Sequence, residues 1–329
     1  MKLPLKTQPA KICLLRLSAV GDICHMLPIV RTIQKFWPDT EITWVIGKLE
    51  YTLVCDIPDI KFIIFDKSKG FSAYLLLRQY FKNKSFDVLL HMQMSLRASI
   101  ASLFIPANIK LGFDRNSAKD GQWLFTNHKL KNHAPGHVID NFFNFIETLG
   151  LNERDLSWNL PIPENAQAYA DKALPDSKQY LIISPCSSMS YRNWSTENYA
   201  AIADYAQDKF GLTVVLTGGP ASIEAEYGTK IEQDSKFPVI NLIGKTNLKQ
   251  LCAILNKALI IIAPDSGPAH IATALNIPVI GLYATTNPRR ARPYLSGQYT
   301  INRYDEAISD KFSKTVEQLP WGTRVRDEG

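Results

Sequence analysis

The chain predicts an α/β protein of two Rossmann-like domains with parallel sheets. Three observations carry that prediction. Short apolar, β-branched runs alternate with longer segments of helical character. The runs are apolar almost without interruption, as strands are when helices cover both faces of a parallel sheet. The 329 residues are about twice the roughly 150 of an average domain. In the first half, strands are predicted at 12–17, 42–46, 62–65 and 88–91. A helix follows Gly21-Asp22 and runs to Phe36, where Pro38-Asp39 breaks it, and an amphipathic helix covers 139–149 up to Gly150. Leu160-Pro161-Ile162-Pro163 reads as an extended linker, because each proline disfavours helix before it. Strands at 180–184, 213–217, 239–242, 259–263 and 279–282 follow, with helices at 196–210, 221–233, 248–255 and 268–275. The expected domains are 1–158 and 159–304. Ligands of such sheets bind at the carboxyl ends of the strands, so the cleft between the domains is the expected site.

Composition excludes several classes. With 46% hydrophobic and 21% charged residues, the chain is neither disordered nor fibrous. Its longest apolar run, 258–263, is far short of the about 20 residues that span a bilayer. The start, Met1-Lys2-Leu3-Pro4-Leu5-Lys6, lacks the apolar core of a secretory signal. Five scattered cysteines without C-x-x-C argue against a disulfide framework or zinc finger, so a cytosolic protein is the simplest reading.

The net charge of +6 is unevenly placed: residues 1–150 hold 19 basic against 12 acidic residues, and the rest 18 against 19. The densest basic stretch holds Lys61, Lys67, Lys69, Arg78, Lys82 and Lys84, with Asp66 its only acid and aromatic residues interleaved. Taken alone, it reads as a solvated helix face. As a functional surface it suits an anionic partner, and without a nucleic-acid module acidic lipid or acidic sugar ranks ahead of DNA or RNA.

Three loops carry chemistry. The first strand ends in Arg16-Leu17-Ser18-Ala19-Val20-Gly21-Asp22, where a glycine beside an aspartate allows a tight turn and close approach of a ligand. It lacks the G-x-G-x-x-G dinucleotide fingerprint. Asp22 is read equally as a catalytic base or as the cap of the following helix, and His25 and Met26 as packing residues. The second loop, from Ser184 to Trp194, offers Ser187 and Ser188 hydroxyls and the fixed fork of Arg192 to phosphate, or is an ordinary polar loop capping the next helix. The third, Asp265-Ser266-Gly267-Pro268-Ala269-His270, opens a helix whose free N–H groups form a natural diphosphate site. Asp265 is placed to accept from ribose hydroxyls or to cap, and His270 to approach the same anion. Three other motifs fail. Gly244-Lys245-Thr246 resembles the end of a P-loop, but the earlier glycine position holds Val239. His128, His133 and His137 are too loosely spaced for zinc. Asp-x-Asp, the usual metal-binding pair of nucleotide-sugar enzymes, is absent.

Together these segments resemble glycosyltransferase family 9, the ADP-heptose:lipopolysaccharide heptosyltransferases, over nearly the whole chain. The resemblance rests on Ser18-x-x-Gly21-Asp22-x-x-x-x-Leu27-Pro28, Gly112-Phe113-Asp114-Arg115 and Arg192-x-Trp194. It rests also on Asp265-Ser266-Gly267-x-x-His270 and Thr286-Asn287-Pro288 with Pro293-Tyr294. It implies the GT-B architecture, with the acceptor on the first domain and the nucleotide-sugar on the second. It further implies that the C-terminal segment 305–329, with a helix at 307–319, returns to the first domain. By resemblance Asp22 is the general base. Ser187, Ser188 and Arg192 meet the donor diphosphate, Glu224 the ribose and Thr246 the adenine, and Asp265, Ser266, Gly267 and His270 complete the donor loop. Arg192 stands where the family often has lysine, and Ser195 where a proline often follows the tryptophan.

The implied reaction is an inverting transfer of heptose from ADP-heptose to the Kdo/heptose-lipid A inner core, with no cofactor and no metal. A sugar hydroxyl is a poor nucleophile near neutral pH, so a carboxylate takes its proton as the new bond forms. Helix N-termini and Arg192 stabilise the leaving ADP. The anionic lipopolysaccharide acceptor is expected to meet Lys61, Lys67, Lys69, Lys82, Arg97 and Arg115. The protein is expected in the cytoplasm, in peripheral contact with the inner face of the inner membrane, without a nucleic-acid partner. Two other readings are a 2-epimerase-like GT-B enzyme and a non-catalytic lipopolysaccharide-assembly binder. A binder needs no carboxylate facing an anomeric carbon.

Overall fold

The computed structural model describes residues 2–131 and 135–326. The chain forms two compact units, residues 1–161 and 162–329. The first contains β1 (Lys11–Leu15), α1 (Val20–Phe36), β2 (Glu41–Gly47), α2 (Lys48–Val54), β3 (Ile60–Phe65), α3 (Ser72–Phe81), β4 (Phe86–His91), α4 (Leu96–Leu103), β5 (Ala107–Gly112), β6 (His128–Lys129) and α5 (Val138–Leu149). Its six strands are all parallel, in the order β3-β2-β1-β4-β5-β6. The second unit contains α6 (Glu164–Ala173), β7 (Tyr180–Ile183), α7 (Thr196–Phe210), β8 (Thr213–Leu216), α8 (Ser222–Asp234), β9 (Ile240–Asn241), α9 (Leu248–Asn256), β10 (Ala258–Pro264), α10 (Gly267–Ala274), β11 (Val279–Tyr283), α11 (Pro288–Ala291), β12 (Thr300–Asn302) and α12 (Tyr304–Phe312). Its strands are also parallel, in the order β12-β11-β10-β7-β8-β9. These are the two Rossmann-like units expected of the GT-B class.

The strands are where the apolar runs put them, because both sheet faces are covered. Ile12, Cys13, Leu14 and Leu15 of β1 are fully buried. On one face of the first sheet, Leu15, Val45, Phe65 and Leu89 pack with Leu77 and Phe81 of α3 and Ala98 and Ala101 of α4. The second unit has its own core, with Ile183, Val214 and Leu216 against Tyr199 and Ala203 of α7. α7 shows how local signals set an element: Ser195 accepts the amide of Asn198 at its start, and Gly211 ends it in the left-handed region at φ +66°.

Each sheet reverses its winding once. In the first unit this happens between β1 and β4, in the second between β7 and β10. The carboxyl ends of those pairs carry Asp22, in the first turn of α1, in one unit and Arg192 and Asp265, in loops, in the other.

Two expectations differ from the structure. The segment before residue 162 is extended, as its prolines predict, but it is fastened to the first unit. Trp158 Nε1 donates to the carbonyl of Cys24 at 3.0 Å, and Arg31 donates to the carbonyls of Trp158 and Asn159. The C-terminal segment does not form one helix over 307–319: α12 ends at Phe312, with Ser313 left-handed, and a 3-10 turn follows at Val316–Gln318. Nor does the described part of the tail join the first unit. Tyr304, Ile308, Val316 and Val325 form their own apolar cluster, Val325 N–H donates to Thr285 O at 3.0 Å, and Arg324 bridges to Thr286. These contacts make the tail part of the second unit.

Candidate active site

In the first unit the site is built on the loop after β1. Gly47 N–H donates to Leu17 O at 3.0 Å, and Leu17 N–H donates to the Oε1 of Gln93 at 2.6 Å. Gln93 Nε2 in turn donates to Ser18 Oγ at 3.3 Å. The loop is thereby held between β2 and the segment after β4. Ala19 is the N-cap of α1 and Asp22 is its third helical residue, so Asp22 is not the N-cap itself, but its carboxylate takes part in capping the helix by accepting from the N-cap amide. Its Oδ2 accepts from Ala19 N–H at 3.4 Å and forms an ion pair with Arg16. Arg16 is itself buried: one arm donates to Met92 O at 2.5 Å, and its guanidinium lies 5.2 Å from the Phe142 ring. His25 Nδ1 is 4.0 Å from Asp22 Oδ1, and His25 and Met26 are buried as the packing reading expects. The Asp22 side chain remains 31% exposed. It is a carboxylate fixed on one side and open on the other.

Gln122 continues this frame. It is fully buried, donates to His91 O at 2.7 Å and to Gln93 O at 3.4 Å, and accepts from Phe113 N–H at 3.1 Å. A Cβ at Gly112 would lie 3.1 Å from its Oε1 and 2.6 Å from Thr126 Cγ2, so this approach requires glycine at the start of the Gly112-Phe113-Asp114-Arg115 motif.

The six expected acceptor residues do not gather at one place. Lys67 and Lys69 follow β3, Arg97 follows β4 and Arg115 follows β5, all at the carboxyl edge of the sheet that also carries Asp22. Lys61 near the start of β3 and Lys82 before β4 belong to the opposite edge. There Lys61 and its neighbour Lys84 stand over the Tyr80 ring at 5.8 and 3.4 Å.

In the second unit, β7, β8, β9 and β10 run in parallel, so the loops leaving them share one edge. That edge carries every expected donor residue. Ser187, Ser188 and Arg192 follow β7, Glu224 lies in the first turn of α8, Thr246 follows β9, and Asp265, Ser266, Gly267 and His270 follow β10. Arg192 is the hub. One of its nitrogens donates to the Asp265 carbonyl at 2.9 Å, lies 3.2 Å from the Asp265 carboxylate and reaches Ser187 Oγ at 3.5 Å. His270 Nε2 is 3.5 Å from the other carboxylate oxygen. Burial works against the charge on Asp265, but the hydrogen bond from His270 and the charge of Arg192 outweigh it, so its carboxyl lies below the usual range.

The other members are held by backbone contacts. Ser187 N–H donates to Asn193 Oδ1 at 2.8 Å, and Gly219 N–H donates to Glu224 Oε2 at 2.6 Å. A Cβ at Gly218 would lie 2.5 Å from that same Glu224 oxygen. Ser266 is the N-cap of α10, yet its side chain makes no capping bond, and its buried Oγ has no partner. Among the described residues, no group of three His, Cys, Asp or Glu side chains is arranged to hold a metal ion. His133, one of the three histidines considered for zinc, lies outside the described residues.

Sequence reasoning missed Gln93, Gln122 and Asn193. Gln93 carried only a weak signal, a polar residue two positions past the end of an apolar strand. Gln122 and Asn193 carried none, since their partners are backbone groups and neighbouring side chains of a folded loop.

Comparison with known proteins shows the family. The family model for glycosyltransferase family 9 (heptosyltransferase) matches residues 74–321. The chain is 42% identical over 325 residues to the lipopolysaccharide core heptosyltransferase OpsX of Haemophilus influenzae, covering 98% of this chain and 93% of that protein. Among solved structures, a family 9 glycosyltransferase of Veillonella parvula superposes with a TM-score of 0.79 at 22% identity, covering 95% and 92% of the two chains. The E. coli heptosyltransferase WaaC with ADP gives 0.71 at 18% identity, covering 88% and 92%. No helix among the described residues is long and apolar enough to cross a membrane. The chain belongs to glycosyltransferase family 9, the heptosyltransferases.

Proposed function

We propose that the protein transfers heptose from ADP-heptose to the lipopolysaccharide inner core, with inversion and without a metal, using Asp22 as general base. The observation that carries this reading is the state of Asp22: a carboxylate anchored by Arg16 and Ala19 at the winding reversal of its sheet, with its remaining face open. The similarity to a core heptosyltransferase supports the donor and the acceptor class.

In this mechanism the acceptor hydroxyl gives its proton to Asp22 as its oxygen bonds the anomeric carbon. The bond from that carbon to the ADP phosphate breaks on the opposite face, which inverts the centre. Arg192, Ser187, Ser188 and the free amides at the start of α10 take up the charge that develops on ADP. Asp265 and His270 hold Arg192 and the α10 loop in place, Glu224 faces the ribose and Thr246 the adenine. Lys67, Lys69, Arg97 and Arg115 receive the phosphates and carboxylates of the acceptor. The protein works in the cytoplasm, at the inner face of the inner membrane.

Asp22→Asn is the decisive variant, because it keeps the shape and the contact with Ala19. Turnover of ADP-heptose with a truncated lipopolysaccharide acceptor should fall about 10²–10⁴-fold. ADP affinity by titration calorimetry should stay unchanged, and EDTA should leave the wild-type rate intact. Near-normal turnover by Asp22→Asn would overturn the base assignment, and strict dependence on Mg²⁺ or Mn²⁺ the metal-free mechanism.

A further inference from the structure

The second helix face of α3 has no role in the site described above. Its inner face is ordinary: Ala73, Leu77 and Phe81, one turn apart, are buried in the core. Its outer face is not. Phe71 at the N-cap is 71% exposed, and Leu75 and Leu76 are 47% and 48% exposed. Phe71 and Leu75 are one turn apart, so they lie on one side of the helix. Single exposed apolar residues are common on protein surfaces, but a contiguous group of large ones marks an interaction surface.

The surroundings of this group name its partner. Lys67 and Lys69 form the turn just before α3, and Arg78, Lys82 and Lys84 lie on its last turn and just beyond it, all exposed. Asp66, the only acid of the stretch, is held by Lys48 at 3.6 Å and by the amide and hydroxyl of Ser68. Lys48 thus takes up the charge of Asp66, and Glu50 of α2 lies within reach of the Lys67 charge, so the positive charge left over is that of Lys69 before α3 and of Arg78, Lys82 and Lys84 at its end. An apolar strip bracketed by basic residues is the pattern of a helix lying in a bilayer interface, with its apolar side chains below the head groups and its cations against anionic lipid.

We propose that α3 docks the protein on an anionic phospholipid bilayer, with Phe71, Leu75 and Leu76 entering the acyl boundary and Arg78 and Lys84 contacting phosphates. This deepens the peripheral location proposed above by naming the inserting residues, and it does not depend on Asp22. It also gives Lys61 and Lys82, which lie away from the Asp22 edge, a place on the lipid-facing side of the domain.

Co-sedimentation of the full chain with vesicles of phosphatidylcholine, with and without phosphatidylglycerol, tests it. The wild type should bind the anionic vesicles more tightly. Replacing Phe71, Leu75 and Leu76 together by serine should lower the partition coefficient about tenfold. Arg78→Gln with Lys84→Gln should remove most of the preference for phosphatidylglycerol. All variants should bind ADP as the wild type does, which reports an intact fold. Vesicle binding by the triple serine variant equal to that of the wild type would overturn the proposal. So would a concentration-dependent dimer in sedimentation velocity that the triple variant abolishes while the wild type ignores vesicles, which would assign the strip to a second copy of this chain. Normal turnover by Asp22→Asn would leave these outcomes untouched.

Discussion

Gln93 shows how one side chain sets the geometry of a carboxylate it does not touch, the proposed base. Asp22 is placed by the loop 16–19, and that loop is tied to the segment after β4 through the two ends of the Gln93 amide. Gln122 then fixes the backbone of Gln93 itself. Truncating Gln93 leaves the Leu17 amide without its partner, at a cost of about 1–3 kcal/mol. The loss falls on the position of Asp22 rather than on the second unit. If Asp22 is the base proposed above, Gln93→Ala is expected to lower kcat about tenfold, an order-of-magnitude expectation for a displaced catalytic group, while ADP affinity stays at the wild-type value. Wild-type kcat in that variant would show that the loop holds its shape without the amide.

At the level of elements, α10 starts on a serine whose side chain does not cap it. A serine at the N-cap usually stabilises its helix by about 1 kcal/mol through its side chain. Ser266 makes no such bond, so its hydroxyl is free for another partner. Ser266→Ala should leave the urea midpoint nearly unchanged and weaken ADP binding several-fold. A clear fall in stability with unchanged ADP affinity would return Ser266 to a structural role. The same elements show what could be read beforehand. β1, β4, β7, β8 and β10 were legible because burial on both faces demands unbroken apolar runs, and α7 because Ser195 and Gly211 mark its ends. β5 was not, because Asn108 and Lys110 interrupt its run, and Lys110 is accommodated only by reaching the Ser102 carbonyl at 2.8 Å. β6 and β12 are too short to carry a period. α6 was not read; it starts directly after the proline linker, with Pro163 as its N-cap. The site loops were legible by residue type, since hydroxyls, a guanidinium and Asp-Ser-Gly are rare in that order. Their supports Gln93 and Gln122 were not, since each acts on backbone brought close only by the parallel sheet.

For the whole molecule, each unit closes its own apolar core, and the tail seals itself onto the second. That independence has a calorimetric consequence. Two separate cores should melt as two transitions rather than one. If ADP binds the second unit alone, it should raise only that unit's transition. At a hundredfold excess over Kd, ligand linkage adds about 2.7 kcal/mol, or about 5–10 °C for a unit of this size. Heating scans with and without ADP would thus assign each transition to a unit without any substitution. A single peak that moves as a whole would mean that the two units unfold as one cooperative whole.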